Sequence, residues 1–275
     1  MSKRLMSRRR ALLACAAAAF AAAAPARAGW DKIRESGALK VAVYNEFAPF
    51  SDKGAGIDVD LAQALAAKLG LRLALMPFPA DEEVADDLRN MVWKGHYLGY
   101  GPADLMLHVP VDSRLMADNP QVRIFAPYYV ESLRLARSAA AIPQLQGVDS
   151  LAGKRIGVEK VSIAGMLMLG EARLREQVRI YPTAAEALAA LKAGALDAVL
   201  AKRSEVETAL RGDPAFPVEE LAFQRMPRSG WAVGMAVRKD NEDLARRLQA
   251  AVNELSASGE LAALFEKHGV KAVRP

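Results

Sequence analysis

The sequence predicts an α/β fold in two lobes, each a mostly parallel sheet flanked by helices, with strands joining the two. Three observations carry this. Short apolar runs alternate with stretches of helical period in two separate blocks, the first from Leu39 to His108 and the second from Lys154 to Ala201. That alternation is the pattern of parallel strands linked by crossover helices. A long stretch of extended character, RIFAPYYVESLRLARSAAAIPQLQGVDS, separates the blocks, and a further apolar strand, GWAVGMAVRK (230–239), follows the second.

In chain order, LKVAV (39–43) reads as a buried strand and GIDVDLAQALAAKLG (56–70) as a helix, with Leu61, Leu65 and Leu69 on one stripe and Gly70 as its stop. LRLAL (71–75), the helical pattern EEVADDLRNMVWKG and the strand DLMLH (104–108) complete the first β-α-β-α-β block. The second opens at KRIGV (154–158), continues through a short helix from Ser162 and TAAEALAALKAG (183–194), and ends in the strand LDAVLA (196–201). Thr183 and Glu186 are spaced as a capping box, and Gly194 stands where a helix stops. Two amphipathic helices, NEDLARRLQAAVNELSAS and GELAALFEKHG, close the chain. Two similar lobes joined by strands take ligands in the cleft outside the carboxyl ends of those strands.

The first 28 residues have the layout of an export signal: basic MSKRLMSRRR, apolar ALLACAAAAFAAAA, and Ala26-Arg27-Ala28 before Gly29. Ser7-Arg8-Arg9 with Leu12-Leu13 also fits a twin-arginine signal, so the Sec and Tat routes both stay open. The apolar run is too short to span a membrane, and only Ala11 to Ala14 separate Arg10 from Cys15, which argues against lipidation there. A soluble periplasmic protein is expected. Six of the 37 basic residues and no acid lie in this leader, so the remainder carries 31 basic against 32 acidic residues. The basic character belongs to the leader, and a nucleic-acid partner loses its support. The single cysteine, Cys15, leaves with it, so disulfides, thiolate nucleophiles and cysteine metal sites are not expected of the mature chain.

The order of motifs resembles the family 3 periplasmic solute-binding proteins of ABC transporters, the type II periplasmic-binding fold. The resemblance rests on LKVAVYNEFAPFSDKGAGIDVDLAQALAAKLG, ADLM with FAPYY, LAGKRIGVEKVS, YPTAAEALAALKAGALDAVLA and the tail from WAVGMAVRKDNEDL. It implies a first lobe of 29–130 plus 236–275, a second lobe of 137–229, and hinge strands at 131–136 and 230–235. It also implies a monomer, not embedded in a membrane, that closes on a small-molecule ligand and delivers it to an ABC permease.

Carried over residue by residue, the resemblance makes Phe47 the aromatic that covers the ligand, Phe78 a second cleft wall and Arg114 the grip on a carboxylate. A guanidinium fork suits that role because it binds carboxylate bidentately and keeps its charge. Val161-Ser162 opens a helix where the family has Gly-Thr, so Ser162 is the second-lobe contact. Val111 stands where the family has a threonine, and Lys202 where amino-acid binders carry an aspartate for the amine. Like charges repel in a closed cleft, so Lys202 argues for an organic anion over an ordinary L-amino acid.

The stretch WKGHYLGYGPADLMLHVPVD (93–112) holds two of the three histidines. His96, His108, Asp104 and Asp112 suit a metal by type but lack a ligand spacing. His108 is expected near the cleft, with His96, Tyr97 and Tyr100 on a loop at its rim as partner contacts. Trp93 is expected in the core, Asp197 in turn structure, and His268 as a solvated helix cap. Arg89-Asn90, Gly95, Asp104 and Val109-Pro110, followed by Pro127-Tyr128-Tyr129, resemble the J-type accessory proteins of PQQ-dependent alcohol dehydrogenases. That resemblance implies a quinoprotein dehydrogenase as partner. A few enzymes, periplasmic dehydratases, also use this fold. No catalytic residue, metal or cofactor is predicted.

Overall fold

The computed structural model describes residues 29–224, 226 and 230–275. The expected signal peptide, 1–28, lies outside the described residues. Helix α1 (Gly29–Ser36) leads into β1 (Ala38–Tyr44), α2 (Ile57–Lys68) and β2 (Arg72–Phe78). Helix α3 (Val84–Leu88), β3 (Leu105–Pro110) and α4 (Ser113–Asp118) follow, and then the 16-residue β4 (Val122–Arg137). The second half holds β5 (Ile156–Glu159), α5 (Ile163–Gly170), β6 (Val178–Tyr181), α6 (Ala184–Lys192), β7 (Ala198–Lys202), α7 (Arg203–Leu210) and the short β8 (Val218–Glu219). Strand β9 (Gly230–Arg238) returns to the first half, and α8 (Glu242–Ala257) and α9 (Glu260–Lys267) end the chain.

The strands lie in the order β2-β1-β3-β9-β4-β7-β5-β6, with β8 paired to β4. β1 pairs in parallel with β2 and β3, and β5 pairs in parallel with β6 and β7, one group in each lobe. β4 belongs to both lobes: it pairs antiparallel with β9 from Val122 to Ser132 and with β7 from Leu133 to Arg137. This change of partner places the site. Lys202, the last residue of β7, sits opposite Leu133. Pro110, the last residue of β3, sits opposite Val233, which in turn pairs with Tyr129. The carboxyl ends of both parallel groups therefore converge on Tyr129–Leu133.

Each lobe's sheet buries both faces, as parallel strands with crossover helices require. In the first, Leu61 and Leu65 of α2 pack with Val41, Leu107 and Phe265 on one face, while Leu88, Met91, Met106 and Phe78 fill the other. In the second, Leu135, Val158 and Met168 lie on one face and Leu188, Leu191 and Val206 on the other. Thr183 caps α6, its Oγ1 accepting the Glu186 N–H at 3.2 Å, and Gly194 stops it with φ +74°.

Helices α1, α4 and α7 lie where the sequence pattern marked none, and two further features depart from it. The helical stretch 82–95 starts at Val84, and its last turn, Arg89–Trp93, is a π-helix in which Lys94 N–H donates to Arg89 O. In this wider turn the buried Asn90 donates to Asp81 at 2.8 Å, while Asp87 accepts from Tyr44 Oη and from the Asp81 N–H, each at 2.9 Å. His268, expected to be solvated, is half-buried with Nε2 2.7 Å from Asp60 of α2. Trp93 is half-buried against the first lobe's core, and Asp197 holds the Arg155 backbone N–H and guanidinium.

Burial pushes the Asp87 carboxyl up to about 6. The folded chain thus holds this proton more tightly than the unfolded chain, and the group favours folding most in acid. Its contribution should fall as pH rises from about 4, the ordinary aspartate value, through about 6. Urea unfolding of Asp87→Asn across that range should lack this component of the slope.

Candidate functional site

The loop after β1 makes a tight turn in which Phe47 and Ser51 exchange backbone hydrogen bonds at 2.7 and 2.9 Å. Gly56 closes it with φ +135°; a Cβ there would stand 2.3 Å from Phe50 O, so only glycine fits. The turn sets Phe47 and Phe50 edge-on to the His108 ring, with centroids 4.7 and 4.1 Å away.

His108 lies where β3 slips register against β9, between Met106 and Val109, and it has φ +60°. A bulge re-aims the side chain it carries. Here the imidazole Nδ1 meets Asp58 Oδ2 at 3.0 Å, while the His108 N–H donates to Tyr128 Oη (3.1 Å), which donates to Asp58 Oδ1 (2.8 Å). An ionised carboxylate only accepts, so Nδ1 carries the proton and Nε2 is left to face a ligand or water. Nε2 has no hydrogen-bond partner among the described residues. Burial, then the Asp58 charge, raises the Tyr128 phenol well above its ordinary range, which keeps it a donor.

The second lobe meets this cluster through Lys202, whose Nζ stands 4.5 Å from the centre of the Phe47 ring and 2.9 Å from Glu205 Oε1. Glu205 Oε2 also accepts the Lys202 N–H at 3.0 Å. Burial, then the Glu205 charge, raises the Glu159 carboxyl, while Lys202 and the Ala184 N–H at the start of α6 oppose the rise. Beside Glu159, an apolar-walled cavity of ≈ 430 Å³ opens at α5. At the crossing, Glu131 of β4 is fully buried, accepting from Ser204 Oγ and from the Ser132 N–H (2.8 Å). Burial raises its carboxyl, opposed by Ser204, Ser132, Lys202 and His108.

Three sequence-predicted residues, Phe47, His108 and Lys202, come together here. Phe78 does not: it is 3% exposed, 4.9 Å from Tyr44 in the first lobe's core, because β2 runs three residues beyond the expected Leu75. Val111 is half-buried where β3 meets β9, its N–H bonded to Ala232 O. Ser162 spends its hydroxyl as a cap on α5, accepting from Gly165 N–H and donating to Glu159 O. Arg114 stands just past the carboxyl end of β3, 90% exposed, with Asp118 3.6 Å away as its only ion pair among the described residues.

His96, Tyr97 and Tyr100 form a ring cluster of their own. They precede the amino end of β3 and stack on one another, His96 on Tyr100 at 4.2 Å. Among the described residues no group of three or more His, Cys, Asp or Glu side chains could hold a metal ion. Also among them, no helix is long and apolar enough to cross a membrane.

Sequence reasoning missed Asp58, Tyr128, Glu131, Ser204 and Glu205. Glu131-Ser132 was the one visible signal, an acid and a hydroxyl inside an otherwise apolar strand. The argument that Lys202 bars an ammonium is also corrected: Glu205 takes its charge, and Glu159 adds a second carboxylate nearby.

Ser204→Ala should destabilise the fold by about 1–3 kcal/mol at pH 7, the cost of stripping a buried acceptor of a donor. Because the Glu131 carboxyl is already raised by burial, losing Ser204 raises it further. The deficit should therefore shrink as pH falls and the carboxyl takes its proton, as urea titrations at pH 7 and pH 5 would show.

No protein-family profile matches the chain. It is 26% identical over 251 residues to the L-cystine-binding protein TcyJ of Escherichia coli K12, covering 86% of this chain and 84% of that one. A 52-residue stretch, 17% of this chain and 19% of the other, is 48% identical to cyclohexadienyl dehydratase of Pseudomonas aeruginosa. Among solved structures, the reconstructed ancestral cationic amino acid solute-binding protein AncCDT-1 superposes with a TM-score of 0.69 at 19% identity, covering 87% of this chain and 98% of that one. The amino acid ABC transporter substrate-binding protein AbpA of Streptococcus pneumoniae, bound to L-arginine, superposes with a TM-score of 0.58 at 25% identity over 86% and 97% of the two chains. The chain has the two-lobed periplasmic-binding fold of these structures.

Proposed function

We propose that this protein is a periplasmic solute-binding protein that captures an amino acid, or a close carboxylate-bearing relative of one, between its lobes for an ABC transporter. The observation that carries the reading is the meeting of Lys202 from the second lobe with Phe47 from the first, at the carboxyl ends of both sets of strands. A ligand there touches both lobes at once, and contacts to both are what select a closed state. The reading is supported by the binding proteins that match most of the chain's length. Hinge strands at 131–136 and 230–235 fit the point where β4 changes partner.

In this reading Phe47 is the apolar wall and His108 Nε2 reads a donor or acceptor on the ligand. Arg114, exposed and loosely paired at the mouth, takes the carboxylate on closure. Glu159 and Glu205 supply negative charge for an amino group, while Lys202 limits how much positive charge the ligand carries there. The quinoprotein-partner resemblance gains no support from the relatives above.

Calorimetric titration of the chain from Gly29 with L-cystine, L-arginine, neutral amino acids and dicarboxylates should find one saturable class. Phe47→Ala, His108→Leu and Arg114→Ala should each weaken it by about tenfold or more, roughly 1.4 kcal/mol. If Arg114→Ala stays within about threefold, the carboxylate anchor lies elsewhere. If no amino acid or carboxylate binds, the function is not solute capture.

A further inference from the structure

Away from the Phe47–Lys202 contact, helix α7, strand β8 and the C-terminal segment after α9 enclose a second cavity of ≈ 510 Å³. Four cations line it, Arg134, Arg203, Arg211 and Lys271, against one lining acid, Glu207. Val206 and Leu210 supply apolar floor.

The cations are not equally committed. Arg203 is 8% exposed: its Nη2 donates to Lys271 O, and its guanidinium lies 5.5 Å from the Tyr129 ring centre. Its Nε, 3.3 Å from Glu207 Oε1, is buried and makes no hydrogen bond. Arg134 donates to Leu133 O and has Glu220 at 3.7 Å. Glu207 also accepts the Lys271 N–H at 2.8 Å. Among the described residues neither the Arg211 guanidinium nor the Lys271 ammonium has an ion-pair partner. The cavity's cations outnumber its acids, and its apolar floor lowers the dielectric around an anion.

We propose that this cavity is a second binding site, separate from the ligand cleft, for a small oxyanion of the phosphate or sulfate type. Arg211 and Lys271 hold the anion's charge, and the committed Arg134 and Arg203 keep the wall positive. The walls come from both lobes, α7 and β8 from the second and the tail of the first. An anion bound there ties the C-terminal segment to α7, alongside the Thr208–His268 hydrogen bond of 3.1 Å.

The test is calorimetric titration of the whole chain with sodium phosphate and with sodium sulfate, using sodium chloride at matched ionic strength as the blank. A saturable site is expected, weakened about tenfold or more in the double variant Arg211→Ala/Lys271→Ala and unchanged in Arg72→Ala, an exposed cation on β2. Both variant positions are exposed, and far-ultraviolet circular dichroism checks that the double variant is folded. If it is not, Lys271→Gln alone, which keeps the stem and loses the charge, is expected to weaken the site measurably. No saturable heat with either oxyanion, or equal affinity in the charge-removing variants, overturns the proposal.

Discussion

A fully buried carboxylate stands where the two lobes are stitched together, and much of the surrounding geometry follows from the need to satisfy it. Glu131 lies on β4 next to the point at which that strand leaves β9 for β7. Left unpaired, a buried charge costs several kcal/mol. It is answered from the second lobe by Ser204, in the first turn of α7, and from its own strand by the Ser132 N–H. The start of a helix favours negative charge, so the direction of α7 and the position of Glu131 are fixed together. The same turn carries Lys202 and Glu205, and their pairing is thereby set at the mouth of the cleft.

On the first-lobe side the organising unit is the Asp58–His108–Tyr128 network, boxed by Phe47 and Phe50. His108 has a left-handed backbone, as do Glu46 and Val161. Glu46 and Val161 lie just past the carboxyl ends of β1 and β5, and His108 lies at the bulge inside β3. For a non-glycine residue that conformation costs about 1–3 kcal/mol and persists only where the surroundings over-determine it. Two hydrogen bonds to Asp58, one to the His108 backbone and two aromatic edges do that for His108.

The lysine shows how the meaning of one residue depends on its neighbours in space. Read along the chain, Lys202 replaces an acid and argues against a ligand ammonium. In the fold its charge is met by Glu205 and lies over Phe47, and Glu159 stands close enough for its carboxyl to feel both. The net field is that of two carboxylates and one ammonium. A single cation in a cleft states a preference only after its partners are counted.

The sequence by itself determined the α/β class, the two blocks of parallel strands, most helix bounds and the caps at Thr183 and Gly194. Each of these rests on local periodicity and local backbone chemistry. It also brought Phe47, His108 and Lys202 into view. It did not show the length of β4, the π turn at Arg89–Trp93 or the core fate of Phe78, because those depend on which strand lies alongside and how far pairing continues. Asp58, Ser204 and Glu205 were silent for the same reason, and Glu131 showed only as an acid inside an apolar strand. A carboxylate or hydroxyl in the chain reads as solvated until the fold removes its water and supplies a partner from 50 or more residues away, as between Asp58 and His108 or Glu131 and Ser204. Propensity and pattern are written along the chain, whereas charge compensation is decided only when distant segments meet in a medium that cannot screen them.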